Sequence, residues 1–384
     1  MKIAFDAQLL FENKKTGIGW TVKKIIDNMD HHAMKHVQLN YFAFRNKESK
    51  RKIIRKYKEQ GYLAKECGWI PLGIYRKISS YISFPYHLVM GRDCEITQFF
   101  NFVIPPGVRG KKAVYIYDMV YKACPETMEE ENRRYLERNV ENSCRCADII
   151  ITISDFSKNE ILKYLDIEEK KIHVVPCGVD LETFNCDITS GSVTAVREKY
   201  SIPSSYYLYL GTLEPRKNIP AIVEAYKILR NQLMEETPYL VIAGKKGWDY
   251  ETIFSLVKQY QLEEQVIFTG YITEEDKKSL LKGALSFVFP SLYEGFGLPP
   301  LEAMACGTPV IVSDRASLPE VVGHAGILID PEDHEGLAAA MEKVFSDMDY
   351  RKELSQKGIE QAQKFSWKET ARKLWNVYEQ ELSV

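Results

Sequence analysis

Residues 287–319 read FVFPSLYEGFGLPPLEAMACGTPVIVSDRASLP. The apolar run 287–289 is a strand that Pro290 ends, and a second apolar run, 310–312, begins another. Short apolar runs without polar alternation are the pattern of parallel strands buried on both faces. Between the two strands a loop carries Glu294 and then Gly295-Phe296-Gly297, followed by Pro299-Pro300 and a helix bearing Glu302, Ala303 and Met304. The glycines let backbone N–H groups approach a ligand closely, since no Cβ obstructs them. Prolines before Leu301 suit a helix start. A helix N-terminus offers unpaired N–H donors and about half a positive charge, a place for a diphosphate. The loop follows a strand, where open α/β sheets bind ligands. Glu302 is expected in the first helical turn. It is there either as a dipole-stabilising residue or as an acceptor for ribose hydroxyls, and Glu294 is either a ligand contact or a solvated loop residue.

Working outward, the same alternation extends over the chain. Strands are expected at 2–5, 38–44, 113–117, 149–153 and 172–175, and again at 207–211, 239–243, 266–268, 287–289 and 310–312. Helical periods lie between them, at 19–30, 129–143, 154–165, 219–232 and 275–282. Alternating strands and helices predict an α/β fold with doubly wound parallel sheets. Residues 176–204, rich in Pro, Gly and Ser and without a clear strand, read as a linker. The expected organisation is therefore a first Rossmann-like domain over 1–180 and a second over 200–366. An amphipathic helix, 367–384, then packs back on the first.

Composition bounds the function. The 384 residues suit two domains, and 45% hydrophobic with 27% charged residues is a globular mixture. A net charge of −2 gives no bulk attraction to nucleic acid, so none is expected as partner. Cys67, Cys94, Cys124, Cys144, Cys146, Cys177, Cys186 and Cys306 contain no C-x-x-C pair. No zinc-finger spacing of His accompanies them, so neither a structural metal nor a disulfide framework is expected. The start, MKIAFDAQLL, reads as a buried strand rather than a leader, and no run approaches the roughly 20 apolar residues of a membrane span. The expected location is the cytoplasm.

The segment EGFGLPPLE, with Glu294 and Glu302 bracketing seven residues, resembles the E-x7-E signature of glycosyltransferase family 4. The resemblance continues in TGIG (16–19), TISDFSKNEI (152–161), VVPCGVD (174–180), GTLEPRKN (211–218) and FSW (365–367). Matches in order over nearly the whole chain are more specific than any one of them. The resemblance implies the GT-B fold, two Rossmann-like domains facing across a cleft, and transfer with retention of anomeric configuration. By it, Glu294 contacts the donor sugar, Glu302 binds the donor ribose, and Gly295, Phe296, Gly297 and Leu298 face sugar and diphosphate. Thr212, Arg216 and Lys217 fall at the donor, where fixed cations stabilise the leaving diphosphate. Without the motif, Arg216-Lys217 is an ordinary solvated pair.

Three further sites follow from the resemblance with their plainer readings beside them. Gly17 and Gly19 resemble the family's N-terminal glycine loop, or form a turn. They are not a G-x-G-x-x-G fingerprint, since position 22 is Val. Asp118 stands where relatives carry His-Asp, but Tyr117 replaces the His, so a histidine contact to the sugar is in doubt and Asp118 caps a turn or approaches substrate. Tyr271 sits where the family holds the base, or is core. Asp347-Met348-Asp349 reads as surface, and no metal or other cofactor is expected.

The expected partners are a nucleoside-diphosphate sugar and a glycan or lipid-linked acceptor, as in surface-polysaccharide assembly. From residue 45 to residue 77, eleven Lys or Arg against three Glu give 11 − 3 = +8, interleaved with Ile53, Ile54, Tyr57, Tyr62, Trp69, Ile74 and Tyr75. That suits peripheral contact with an anionic membrane, or else a surface loop and helix. Two other functions remain open: a sugar-nucleotide epimerase of the same fold, and a non-catalytic carbohydrate-binding protein.

Overall fold

The computed structural model describes residues 1–12 and 15–383, the side chains of residues 80 and 81 aside. The apolar runs become β1 (Ile3–Asp6), β2 (Val37–Phe42), β3 (Leu63–Cys67), β4 (Ile96–Phe99), β5 (Lys111–Tyr115), β6 (Ile149–Thr152) and β7 (Ile172–Val174). A second series follows: β8 (Tyr206–Leu210), β9 (Tyr239–Ala243), β10 (Val266–Gly270), β11 (Ser286–Phe289), β12 (Val310–Ser313) and β13 (Ile327–Ile329). Most are buried on both faces, as continuous apolar strands must be. Ser and Thr stop and start the helices between them: Thr16, Ser154, Thr189 and Thr273 each accept a backbone N–H at a helix N-cap.

The chain forms two units. Residues 1–119, 131–177 and 367–384 make the first, and residues 120–130 and 178–366 the second. In the first, a parallel sheet has the order β3-β2-β1-β4-β5-β6-β7. Its order reverses between β1 and β4, where Ile3 pairs with Ile96. The helix Trp367–Ser383 completes this unit's core: Tyr378 packs on Phe5 with ring centroids 6.1 Å apart and donates to Gln98 Oε1 at 2.8 Å. Thr370 Oγ1 donates to the Pro176 carbonyl at 2.8 Å. Val384, the last residue of the expected 367–384 helix, lies outside the described residues.

The second unit's sheet has the order β10-β9-β8-β11-β12-β13, all parallel, and reverses between β8 and β11. An aromatic core holds that junction. Tyr209 stacks on Phe289 at 6.1 Å, while the hydroxyls of Tyr206 and Tyr207 donate to the carbonyls of Leu280 and Met341.

Several expectations need correction. β3, β4 and β13 were not expected: β3 alternates exposed and half-buried residues at the sheet edge, and the other two are only three or four residues long. The 176–204 segment does lack a strand, but it contains a helix, Ser190–Lys199, capped by Thr189. In the basic stretch, Ile54, Tyr57, Tyr62 and Tyr75 are buried in the first unit's core, whereas Trp69 and Ile74 are exposed. No helix among the described residues is long and apolar enough to cross a membrane.

Candidate functional site

A doubly wound sheet leaves a crevice beyond the carboxyl ends of the strands flanking its reversal. In the second unit those strands are β8 and β11, and the loops leaving them are stitched together. Leu292 N donates to the Arg216 carbonyl at 2.9 Å, and Ser291 Oγ lies 3.0 Å from it. Pro215 fixes a 3-10 turn over Pro215–Lys217, and Asn218 ends it in the left-handed conformation, φ 52°. That turn aims two cations at the next loop. Arg216 Nη1 donates to the Tyr293 carbonyl at 2.7 Å and lies 3.1 Å from Glu294 Oε1. Its Nη2 holds Glu214 at 2.6 Å. Lys217 Nζ pairs with the same Glu294 oxygen and stands 5.0 Å from the Phe289 ring centroid. Ser291 Oγ adds a third donor to that oxygen, at 2.7 Å.

Burial shapes the charges. It alone would raise the proton affinity of Glu294, but Lys217 and Arg216 outweigh it and hold the carboxyl at about 2. Lys217 is pulled below the ordinary lysine value by burial and by the neighbouring Arg216, with Glu294 and Glu214 opposing. Ionised Glu294 and two cations thus share one desolvated spot.

The glycine loop lies beside them. Gly297 caps the helix Leu298–Ala305 at φ 120°, a conformation that L residues avoid, and a Cβ there would stand 2.8 Å from Leu318 Cδ2. Ser317 Oγ donates to the carbonyls of Glu294 and Phe296, at 2.8 and 2.7 Å, fixing the loop from behind. The buried Phe296 ring meets Phe365 edge-on at 5.8 Å, giving the 365–367 motif a packing role. The helix begins at Leu298, earlier than the prolines suggested. Glu302 therefore falls in its second turn, and the first turn holds no acid, which removes the dipole-stabilising reading. Glu302 is instead buried against Lys277 of the helix Glu274–Gly283, Nζ to Oε2 2.5 Å. Burial raises the Glu302 carboxyl, with Lys277 opposing. The Lys277 ammonium, though burial works against it, is held charged by Glu302 and Glu274.

The other expected residues divide between the units. Thr212 lies in the loop after β8, its carbonyl accepting from the Tyr209 hydroxyl at 3.1 Å. Tyr271 follows edge strand β10 and is 64% exposed, so the core reading does not hold. In the first unit, Gly17 and Gly19 form the opening turn of the helix Gly17–Asp27. Thr16 Oγ1 accepts from Gly19 N at 3.3 Å, and a Cβ at Gly19 would come 2.9 Å from Glu12 Oε2. β5 ends at Tyr115, before Tyr117-Asp118. Tyr117 is buried, stacked on Tyr115 at 5.3 Å, with its hydroxyl unpartnered and its pKa pushed well up by burial. Asp347 caps the helix Met348–Ala362 and Asp349 is exposed. Among the described residues no group of three or more His, Cys, Asp or Glu could hold a metal ion.

Sequence reading missed Lys277, Ser291, Ser317 and Glu214. Ser291 and Ser317 lie in the motif itself, but nothing marks their hydroxyls as supports. Lys277, on a helix whose first half is all charged, reads as solvated surface.

The sequence matches the family description "Glycosyl transferases group 1" over residues 194–361 and "Glycosyltransferase Family 4" over residues 103–183. It is 34% identical over 281 residues to an O-antigen chain mannosyltransferase B of Escherichia coli, covering 72% of each chain. It is 37% identical to a serotype-specific mannosyltransferase WbdA of Escherichia coli over 59% of this chain, but only 28% of that protein. The crystal structure of Anabaena HepE in complex with UDP and glucose superposes with a TM-score of 0.72 at 16% identity, covering 99% of both chains. That likeness shows the fold, GT-B, with its two Rossmann-like parallel-sheet units.

Proposed function

The chain belongs to the group 1 glycosyltransferases of family 4, and from that membership we propose a retaining hexosyl transfer. The donor is a nucleoside-diphosphate sugar, and the acceptor is a glycan or lipid-linked hydroxyl in surface-polysaccharide assembly. The observation that carries the reading is the convergence of Lys217 and Arg216 on Glu294 beside the N-terminus of the helix Leu298–Ala305. A departing nucleoside diphosphate gains negative charge in the transition state. Cations and helix N–H groups already fixed in a desolvated site stabilise that charge without reorganising.

In this reading the donor diphosphate lies at Gly297-Leu298 and takes up Lys217 and Arg216. Gly295 and Phe296 line the sugar, and Glu294, ionised at neutral pH, accepts from its hydroxyls. Thr212 borders the diphosphate, Glu302 accepts from the ribose, and exposed Tyr271 meets the base. Gly17, Gly19 and Asp118, all in the first unit, remain proposed for the donor on the family resemblance alone. The acceptor oxygen attacks the anomeric carbon on the face the leaving group departs. The new C–O bond forms as the old one breaks, and the acceptor proton passes to the released phosphate oxygen. Neither a protein nucleophile nor a metal enters the proposal. The mannosyltransferases among its relatives favour a mannosyl donor. The enzyme would work at the cytoplasmic membrane face, with residues 45–77 toward the lipid.

Calorimetry of UDP, GDP, ADP and dTDP against the protein and Lys217→Ala tests the reading. One diphosphate should bind, and the variant should weaken it tenfold or more, about 1.4 kcal/mol. If none binds the wild-type protein, the donor assignment fails.

A further inference from the structure

Every carboxylate of the donor region is met by a cation, but the two lysines differ. Lys217 comes from a motif loop; Lys277 comes from the middle of a helix that no motif marks. It is nonetheless well buried: 13% of its side chain is exposed, against 15% for Glu302. Its ammonium stands 2.5 Å from Glu302 Oε2, 3.7 Å from Glu274 and 5.2 Å from the Phe184 ring centroid. Desolvating two charges costs several kcal/mol per ion, so a pair of this kind is weak evidence for stability alone.

We propose that Lys277 is a positioning residue for nucleotide recognition: it clamps one oxygen of Glu302 so that the carboxylate presents its other oxygen, ionised, to the vicinal hydroxyls of the donor ribose. The proposal rests on the assignment of Glu302 to the donor. Oε2 is fully buried, ion-paired with Lys277 at 2.5 Å but without a hydrogen bond, so the carboxyl surface that remains open belongs to the other side of the group. An ionised carboxylate only accepts, which suits a diol that donates twice; a protonated one must donate. The groups facing Glu302 push toward protonation. Burial acts first, Glu274 of the same helix as Lys277 and Asp180 after β7 add negative charge, and Cys306 lies on its own helix. Lys277 is the cation set against them. Without it the carboxyl's pKa rises further, and once it takes up a proton the ribose loses an acceptor.

A staple holding two helices together would look the same at rest, but it would not distinguish ribose from deoxyribose. Calorimetry with UDP and GDP beside their 2′-deoxy counterparts separates the two roles. The wild-type protein should prefer the ribonucleotide of the binding pair tenfold or more. Lys277→Met should weaken that ribonucleotide tenfold or more, with partial recovery as pH is raised. The deoxynucleotide should change less than about threefold. Glu302→Gln, with Lys277 in place, mimics the protonated carboxyl and should erase the same preference, so the inference stays testable if Lys277→Met does not fold. Equal weakening of both nucleotides in Lys277→Met, or a preference intact in Glu302→Gln, overturns it. Absence of any nucleotide binding by the wild-type protein defeats the donor reading itself and is seen before a variant is made.

Discussion

Lys217 and Glu294, 77 positions apart, form an ion pair on a carboxylate oxygen, Oε1, that Arg216 and Ser291 also reach. Arg216 meets a further anion, Glu214, through Nη2 at 2.6 Å. A donor diphosphate at the helix Leu298–Ala305, as proposed, would bring these cations another.

Lys217→Ala should therefore lower kcat/KM by about 10²–10³ with Arg216 intact. Steady-state rates at saturating and limiting donor would show a fall in kcat and not only a rise in KM. A variant whose kcat is unchanged would place Lys217 outside the reacting centre.

Glu294 also makes stability depend on acid. Its folded pKa, about 2, lies below the ordinary glutamate value of 4.5. The stabilisation is complete above that ordinary value and is lost as pH falls from about 5 toward 2. Urea unfolding at pH 7 and pH 3 should show Glu294→Gln less stable at pH 7, by about 3–5 kcal/mol for leaving buried cations unpaired. The gap should narrow at pH 3 and close only as pH nears 2. A gap equal at both pH values would contradict the assignment.

Gly244 sits at φ 148°, and a Cβ there would fall 1.7 Å from the Gly211 carbonyl oxygen. That oxygen belongs to the backbone and cannot step aside. Gly244→Ala should destabilise the second unit by about 3 kcal/mol or more and disturb the loop that carries Thr212. Denaturant midpoints measure the first effect and nucleotide calorimetry the second.

Tyr378→Phe removes the hydroxyl that donates to Gln98, both residues fully buried. The loss should be about 1–3 kcal/mol, because Gln98 Oε1 then lacks its donor. Thermal unfolding should shift downward while nucleotide binding, proposed for the other unit, keeps its affinity.

Lys52, Lys56 and Lys58 stand exposed on the helix Lys47–Glu59. If this face meets an anionic bilayer, changing all three to Ala should remove about 3 kcal/mol of attraction at low salt, near 1 kcal/mol for each charge. Co-sedimentation with phosphatidylglycerol-containing vesicles should then fall by about two orders of magnitude. Unchanged sedimentation would end the membrane proposal.

Much of this was legible in the chain. Residues 239–243 were expected as a strand and form β9, because an apolar run bounded by Pro238 and Gly244 has one economical reading. Glu294, Arg216 and Lys217 were singled out and do converge, since loops from strands flanking a sheet reversal meet regardless of their separation in sequence. The helix start at Leu298 was misjudged because prolines are tolerated throughout a first turn, where no N–H is needed. Lys277 was invisible for a different reason. Its partner lies on another helix, and charge spacing along one helix says nothing about which face a neighbour will cover.

The last helix has a consequence for how the protein is made. Leu374, Trp375 and Tyr378 fill the core of a unit whose strands come first from the ribosome. The sheet of residues 3–174 must wait through the synthesis of residues 178–366 before the helix that closes it emerges. A nascent chain therefore exposes that apolar face for most of translation. The second unit, whose residues are nearly contiguous, can fold before the first is finished.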